Sequence, residues 1–177
     1  MSTKKKTNSA TPKKVIRLAD AIAKAKLWEN VGARGSRQRA NIITKKVQSL
    51  ASLDSGLPLV VLVGNGAYRA ALRVGDYVVK VPLRKAAISE SYAEHRRWNH
   101  YGVSNPKLRA LLAPIIHYNN GVIVTRYYPH NEGDIGLYSK VERIVPRSMS
   151  GDLHWRNLVR LYNGHPKILD YGYGVVE

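Results

Sequence analysis

Ser150-Gly-Asp-Leu-His-Trp-Arg-Asn157, followed by Leu158-Val159 and then by Ile168-Leu-Asp-Tyr-Gly172, is the most informative stretch of this chain. Four residues separate Asp152 from Asn157, and Asp170 opens an Asp-Tyr-Gly triplet beyond a short strand-like hairpin around Asn163-Gly164. A carboxylate can orient an attacking hydroxyl. An amide oxygen and a second carboxylate can hold Mg²⁺ against phosphates. The plainer reading is a turn-rich hairpin with two chance aspartates.

Three upstream features fit the first reading by their order. Gly64-Asn65-Gly66 lies between two strand-like runs, where backbone N–H groups can approach phosphate oxygens without an intervening Cβ. Arg69 stands where a third glycine would complete a Gly-rich loop, and no Gly-Lys-Ser or Gly-Lys-Thr follows. Lys80 sits at the centre of the apolar strand Tyr77-Val-Val-Lys-Val-Pro82. A lysine there is costly to bury unless it is paired or bound to an anion; the plainer reading turns it outward. Glu90 and Glu94 share one face of a helix expected over 89–101, where either can turn inward to Lys80 or lie solvated beside Arg97.

The rest of the chain reads as α+β. Helices are expected over 15–31 and 36–53, from apolar residues at helical spacing. Strands are expected over 57–63, 67–73, 77–82, 114–118, 122–128, 158–162 and 167–169, with turns at Gly75, Asn120-Gly121 and Asn163-Gly164. The stretch from 130 to 153 shows no clear periodicity. The sheet is expected to be mainly antiparallel.

The 177 residues carry 29 Lys plus Arg against 12 Asp plus Glu, a net charge of +17. Residues 1–50 hold thirteen basic and two acidic residues, a net of +11. Such a field attracts polyanions, nucleic acid among them; the plainer reading is a solvated basic tail. Cysteine is absent, which removes disulfides and thiolate chemistry. No apolar run is long enough to span a membrane and the first residues lack a signal-peptide core, so a cytoplasmic protein with no membrane partner is expected. The histidines show no zinc spacing, and no Gly-x-Ser-x-Gly elbow occurs.

These motifs resemble the protein-kinase-like superfamily. The Asp-Leu-His-x-x-Asn form is similar to its aminoglycoside and choline phosphotransferase branch. Val63-Gly-Asn-Gly-Ala-Tyr-Arg-Ala-Ala71, Val78-Val-Lys-Val81 and Ser150 to Asn157 also look like the small host-takeover protein kinases of lytic podoviruses. The similarity covers roughly residues 57–174. Composition and apolar spacing give a disordered basic tail over 1–14 and a helical basic extension over 15–56, which the resemblance leaves unexplained; what it implies is a minimal kinase-like fold in a domain over 57–177. That domain divides into an N-lobe over 57–128, with one main helix, and a reduced C-lobe over 129–177.

At matching positions the resemblance implies roles. Gly64, Asn65 and Gly66 would cover the phosphates of ATP, and Lys80 would contact them. Glu94, in preference to Glu90, would orient Lys80. Arg126, Tyr127 and Tyr128 would meet the adenine edge. Asp152 would be the base, with His154 supporting it, and Asn157 and Asp170 would bind Mg²⁺. The function implied is transfer of the ATP γ-phosphoryl group to a hydroxyl, on a protein substrate or a host protein in a host cytoplasm. The sequence departs from the pattern at Ser150, where a histidine is usual, at Tyr171, and in the short stretch after Asp170. The long helix that normally backs the catalytic loop has no counterpart, and the N-terminal helices are candidates to replace it. The alternative is a catalytically degenerate relative, a pseudokinase, that engages nucleic acid or a host protein through its basic N-terminal region.

Overall fold

The computed structural model describes residues 11–32, 34–129, 135–149, 151, 153–161 and 163–172. The tail over 1–10, Ser150, Asp152, Tyr162 and residues 173–177 lie outside the described residues.

Apolar spacing builds the first two helices. Helix α1 (Pro12–Ala25) buries Val15, Leu18, Ala19, Ile22 and Ala23, and α2 (Ser36–Ala51) buries Ala40, Ile43, Thr44, Val47 and Ala51. Proline in the first turn of α1 loses no helical hydrogen bond there, so the helix starts ahead of Val15. It stops well short of Val31, because Lys26 adopts a left-handed conformation (φ 43°) and turns the chain. Leu27, Trp28 and Val31 stay buried beyond that turn, so the apolar periodicity outlasts the helix.

Five strands follow: β1 (Val60–Asn65), β2 (Arg69–Val74), β3 (Tyr77–Pro82), β4 (Ile115–Asn119) and β5 (Val122–Arg126). They form one antiparallel sheet in the order β1-β2-β3-β5-β4. The molecule is thus α+β, as its residue patterns indicate. Asn120 (φ 42°) and Gly121 (φ 85°) both take the left-handed turn conformation that joins β4 to β5. Between β3 and β4 run α3 (Ala87–Ser104) and a short α4 (Pro106–Leu111). The chain then forms α5 (Ile135–Glu142) and a separate hairpin of β6 (Leu158–Arg160) and β7 (Pro166–Ile168). Helices α4 and α5 were not expected. Helix α4 is too short to show a period and is held by its Asn105 cap, whose side chain accepts the Leu108 N–H at 3.0 Å. Helix α5 falls in the stretch read as irregular.

Register decides what each sheet face meets. Ala70, Leu72, Val74, Tyr77, Val79, Val81, Val122 and Val124 belong to one apolar cluster with α1 and α2. The alternating positions, including Ala71, Val78, Lys80 and Thr125, point the other way and line a cavity. Lys80 is therefore buried, 7% exposed, and the outward-facing alternative is overturned. A second cluster joins Leu108, Leu112, Leu137, Val141, Met149, Leu153, Leu158, Ile168 and Tyr171. Helices α4 and α5, rather than the N-terminal pair, supply the packing around residues 153–171; α1 and α2 are already committed to the sheet. No helix among the described residues is long and apolar enough to cross a membrane.

Asp20 ties α1 to the β4–β5 hairpin. One of its oxygens accepts from His117 Nε2 and from Asn119 Nδ2, each at 2.7 Å. The Asn119 amide holds the Asp20 carboxyl below the usual carboxylate range, with His117 adding to it and burial opposing. A carboxyl depressed in the fold contributes stability above its unfolded pKa of about 3.9, and that stability is lost as pH falls through the folded value. Chemical denaturation should therefore show Asp20→Ala less stable than wild type at about pH 6, with the gap closing as pH is taken below about 3.

Candidate functional site

Four residues set apart in the sequence deliver charge to one place. Strand β3 presents Lys80, β2 presents Arg69 and α3 presents Glu94, while Asp170 follows β7. Lys80 Nζ donates to Glu94 Oε1 at 2.6 Å and to the Leu169 carbonyl at 2.6 Å, and it stands 3.9 Å from Asp170 Oδ1. Arg69 Nη1 donates to Glu94 Oε2 at 2.5 Å, and Arg69 Nη2 donates to Asp170 Oδ1. Of the two glutamates one turn apart, Glu94 reaches Lys80 and is fully buried, whereas Glu90 is half-buried. The expectation of a solvated Glu94 beside Arg97 is overturned, since Arg97 is itself buried.

A fully buried carboxylate needs compensating charge. Both Glu94 oxygens are satisfied by cations, and removing one partner of such a buried group costs about 3–5 kcal/mol. Burial alone would raise the Asp170 carboxyl, but Arg69 and then Lys80 outweigh it and hold it well below the usual range. Burial opposes the charge on Arg69 too, and Asp170 and Glu94 overcome it, raising its pKa. The four groups sum to zero charge.

Helix α3 also fixes the Asp-Tyr-Gly triplet. Arg97 Nη1 donates to the Tyr171 carbonyl at 2.6 Å, and the buried Tyr171 hydroxyl donates to the Ala113 carbonyl at 2.7 Å. Burial pushes the Tyr171 phenol well above its ordinary range. Gly172 lies against the helix: a Cβ there would sit 2.7 Å from the Glu90 carbonyl oxygen and 3.3 Å from Glu94 Cβ. The glycine is required by this close approach. Residues 90, 94 and 97 thus form one face of α3 laid on the triplet.

The quartet borders a cavity of about 620 Å³ between the sheet and the second apolar cluster. Gly64 and Asn65 contribute from the end of β1, and Ala71, Val78 and Thr125 from the sheet face. Arg126, Tyr127 and Tyr128 border it at the end of β5. Tyr127 is held by Arg73, whose guanidinium lies 4.0 Å from the ring centroid. Arg156, Asn157, Leu169 and Asp170 close the opposite side. Asn157 is fixed by the backbone, its carbonyl accepting the Leu169 N–H at 2.7 Å.

The structure thus brings Gly64, Asn65, Lys80, Arg126, Tyr127, Tyr128, Asn157 and Asp170 to one cavity, with Glu94 directly behind Lys80. Gly66 does not border it; its N–H closes the β1–β2 turn by donating to the Arg69 carbonyl. Asp152 lies outside the described residues, between Gly151 and Leu153. His154 is exposed, its Nδ1 accepting the Arg156 N–H at 3.2 Å.

Arg69, Arg97, Arg156 and Gly172 escaped assignment from sequence. A signal existed for Arg69: with Ala71 opposite Lys80, the two-residue period of β2 puts positions 69 and 71 on the lysine's face. Chemically, the cavity offers cations for an anion at Arg69, Lys80, Arg126 and Arg156. It also offers the carboxylate and amide oxygens of Asp170 and Asn157, a donor set suited to a hard divalent cation. No cluster of three acidic, histidine or cysteine ligands occurs among the described residues. A metal there would complete its shell from ligand oxygens and water. No family model and no curated protein matches this chain.

Because the Glu90 carbonyl is backbone and cannot give way, Gly172→Ala should cost about 1–3 kcal/mol. Urea denaturation of the full chain monitored by tryptophan fluorescence measures it.

Proposed function

We propose that the protein is a kinase-like phosphotransferase that moves the γ-phosphoryl group of ATP to a hydroxyl on a protein. The observation that carries this reading is the meeting of Lys80, Glu94 and Asp170, 14 and 76 residues apart along the chain, at the wall of one cavity that Asn157 also borders. Its volume lies within the range of small-molecule sites. Gly64 supports it too: it has an ordinary φ, and a Cβ on it would meet nothing closer than Ala71 Cβ at 3.9 Å. Intramolecular packing does not demand glycine there, whereas a ligand passing over the β1 end would.

In this reading Lys80, held by Glu94, pairs with phosphate oxygens. Arg126, Tyr127 and Tyr128 border the base-binding end. Asp170 and Asn157 supply the oxygens that hold Mg²⁺, which when bound offsets phosphate charge. Asp152 accepts the proton of the attacking hydroxyl as its oxygen bonds to the γ-phosphorus and the bond to the ADP oxygen breaks. Positioning and charge compensation supply most of the rate.

A thermal shift with Mg-ATP tests the binding step. Ligand at 100 times its Kd adds about 2.7 kcal/mol of stability. Wild type should show that shift, and Lys80→Met and Asp170→Asn should lose it. Asp152→Ala should keep the shift while radiolabel transfer from ATP falls at least about a hundredfold. Equal transfer by wild type and Asp152→Ala would sink the proposal.

The charge distribution favours a second reading, a polyanion-binding role for the N-terminal layer. Lys13, Arg17 and Lys24 recur at helical spacing and are exposed on α1, as are Arg37 and Lys45 on α2. Because both helices bury their apolar faces in the sheet core, charge reversal tests this better than deletion. Wild type should bind nucleic acid with an affinity that falls steeply with salt, and replacing these five cations by glutamate should flatten the slope by about four to five on a log–log plot.

A further inference from the structure

We infer that Arg69 is a resident counter-ion that withholds Asp170 from a bare divalent cation until a polyphosphate enters the cavity. The inference rests on the reading of Asp170 as a metal-binding carboxylate. Arg69 stands on β2 with only 10% of its side chain exposed, and its planar fork is split between two acids: Nη1 on Glu94 and Nη2 on Asp170. Lys80 cannot take over both contacts, since its ammonium is engaged by Glu94 and the Leu169 carbonyl and stays 3.9 Å from Asp170. Asp170 nevertheless keeps 40% of its side chain open. The carboxylate is thus sterically accessible but already compensated.

Charge counting gives the consequence. Arg69, Lys80, Glu94 and Asp170 sum to zero, so a bare divalent cation would enter a neutral cluster facing two fixed positive groups at short range. A polyphosphate reverses that balance, because Lys80 and Arg69 then have new anionic partners and Asp170 is released. Metal uptake is therefore coupled to the anion, and Arg69 is the positioning residue that enforces the coupling. Lysine would not substitute, since a single ammonium on a shorter fork cannot span both carboxylates.

Mn²⁺, counted by the electron paramagnetic resonance signal of the free ion, is the probe. Without nucleotide, Arg69→Met should bind Mn²⁺ at least about tenfold more tightly than wild type, because one fixed positive charge beside Asp170 is gone. Adding Asp170→Asn to Arg69→Met should abolish the gain. Equal Mn²⁺ affinity in wild type and Arg69→Met overturns the inference, as does a gain that survives Asp170→Asn. Should Arg69→Met fail to fold, Arg69→Gln is judged by the same two criteria, since its neutral amide can still donate a hydrogen bond to Glu94 while the fixed charge beside Asp170 is gone. The phosphotransferase reading fails separately: a wild type without a Mg-ATP shift removes that reading, while a Mn²⁺ gain in Arg69→Met still upholds the counter-ion. A normal Mg-ATP shift with no Mn²⁺ gain does the reverse.

Discussion

A carboxylate with no solvent exposure sits at the centre of this molecule, and it can stay charged only if cations are brought to it. Glu94 recruits two, Lys80 from β3 and Arg69 from β2. Through them it reaches the Leu169 carbonyl and Asp170, which belong to the second apolar cluster's side of the cavity. One helix residue thereby links the sheet to the segment after β7. The sheet, α3 and the β6–β7 hairpin owe their mutual placement around the cavity to this charge exchange as much as to apolar burial. The second apolar cluster supplies the rest: Trp98 and Tyr101 of α3 and Ile115 of β4 pack against the cluster that holds Leu158 and Ile168 of the hairpin.

The N-terminal helices have a different task from the one their charge suggests. Their apolar stripes close the sheet face that looks away from the cavity, and Lys13, Arg17, Lys24, Arg37 and Lys45 remain exposed. Strands β2 and β3 are consequently covered on both sides. Only short side chains, together with Lys80 and Arg69, remain to face the cavity. The basic layer and the cavity lie on opposite faces of one sheet, so a polyanion on the first does not compete for the second.

The fold was legible where the code is local. Asn120-Gly121, the two-residue period of β3 and the apolar stripe of α2 each state their geometry in a few adjacent residues. The short α4 has no period to read, and α1 ends at a left-handed Lys26 that no glycine announces. In the site, a buried Lys80 demands an acidic partner, and helical spacing offered Glu90 and Glu94 alike; only the assembled structure selects Glu94. Arg69 could not be paired from sequence, since its two acids are 25 and 101 positions away and only the assembled cavity brings them together. Gly66 closes the β1–β2 turn next to Gly64 and Asn65, which border the cavity.

Tyrosine, in a chain without a single phenylalanine, changes what the triplet at 170–172 can do. A phenyl ring would be free to slide or rotate within its apolar nest, since dispersion has little directional preference. The phenol is anchored at its far end by the Ala113 carbonyl, while its own backbone carbonyl is clamped by Arg97. Swinging the segment outward would break both hydrogen bonds at once and take a partner from the buried Arg97 guanidinium and from the Ala113 carbonyl. The triplet therefore has one comfortable seat, and the orientation of the neighbouring aspartate is set by a rigid handle instead of a sliding one.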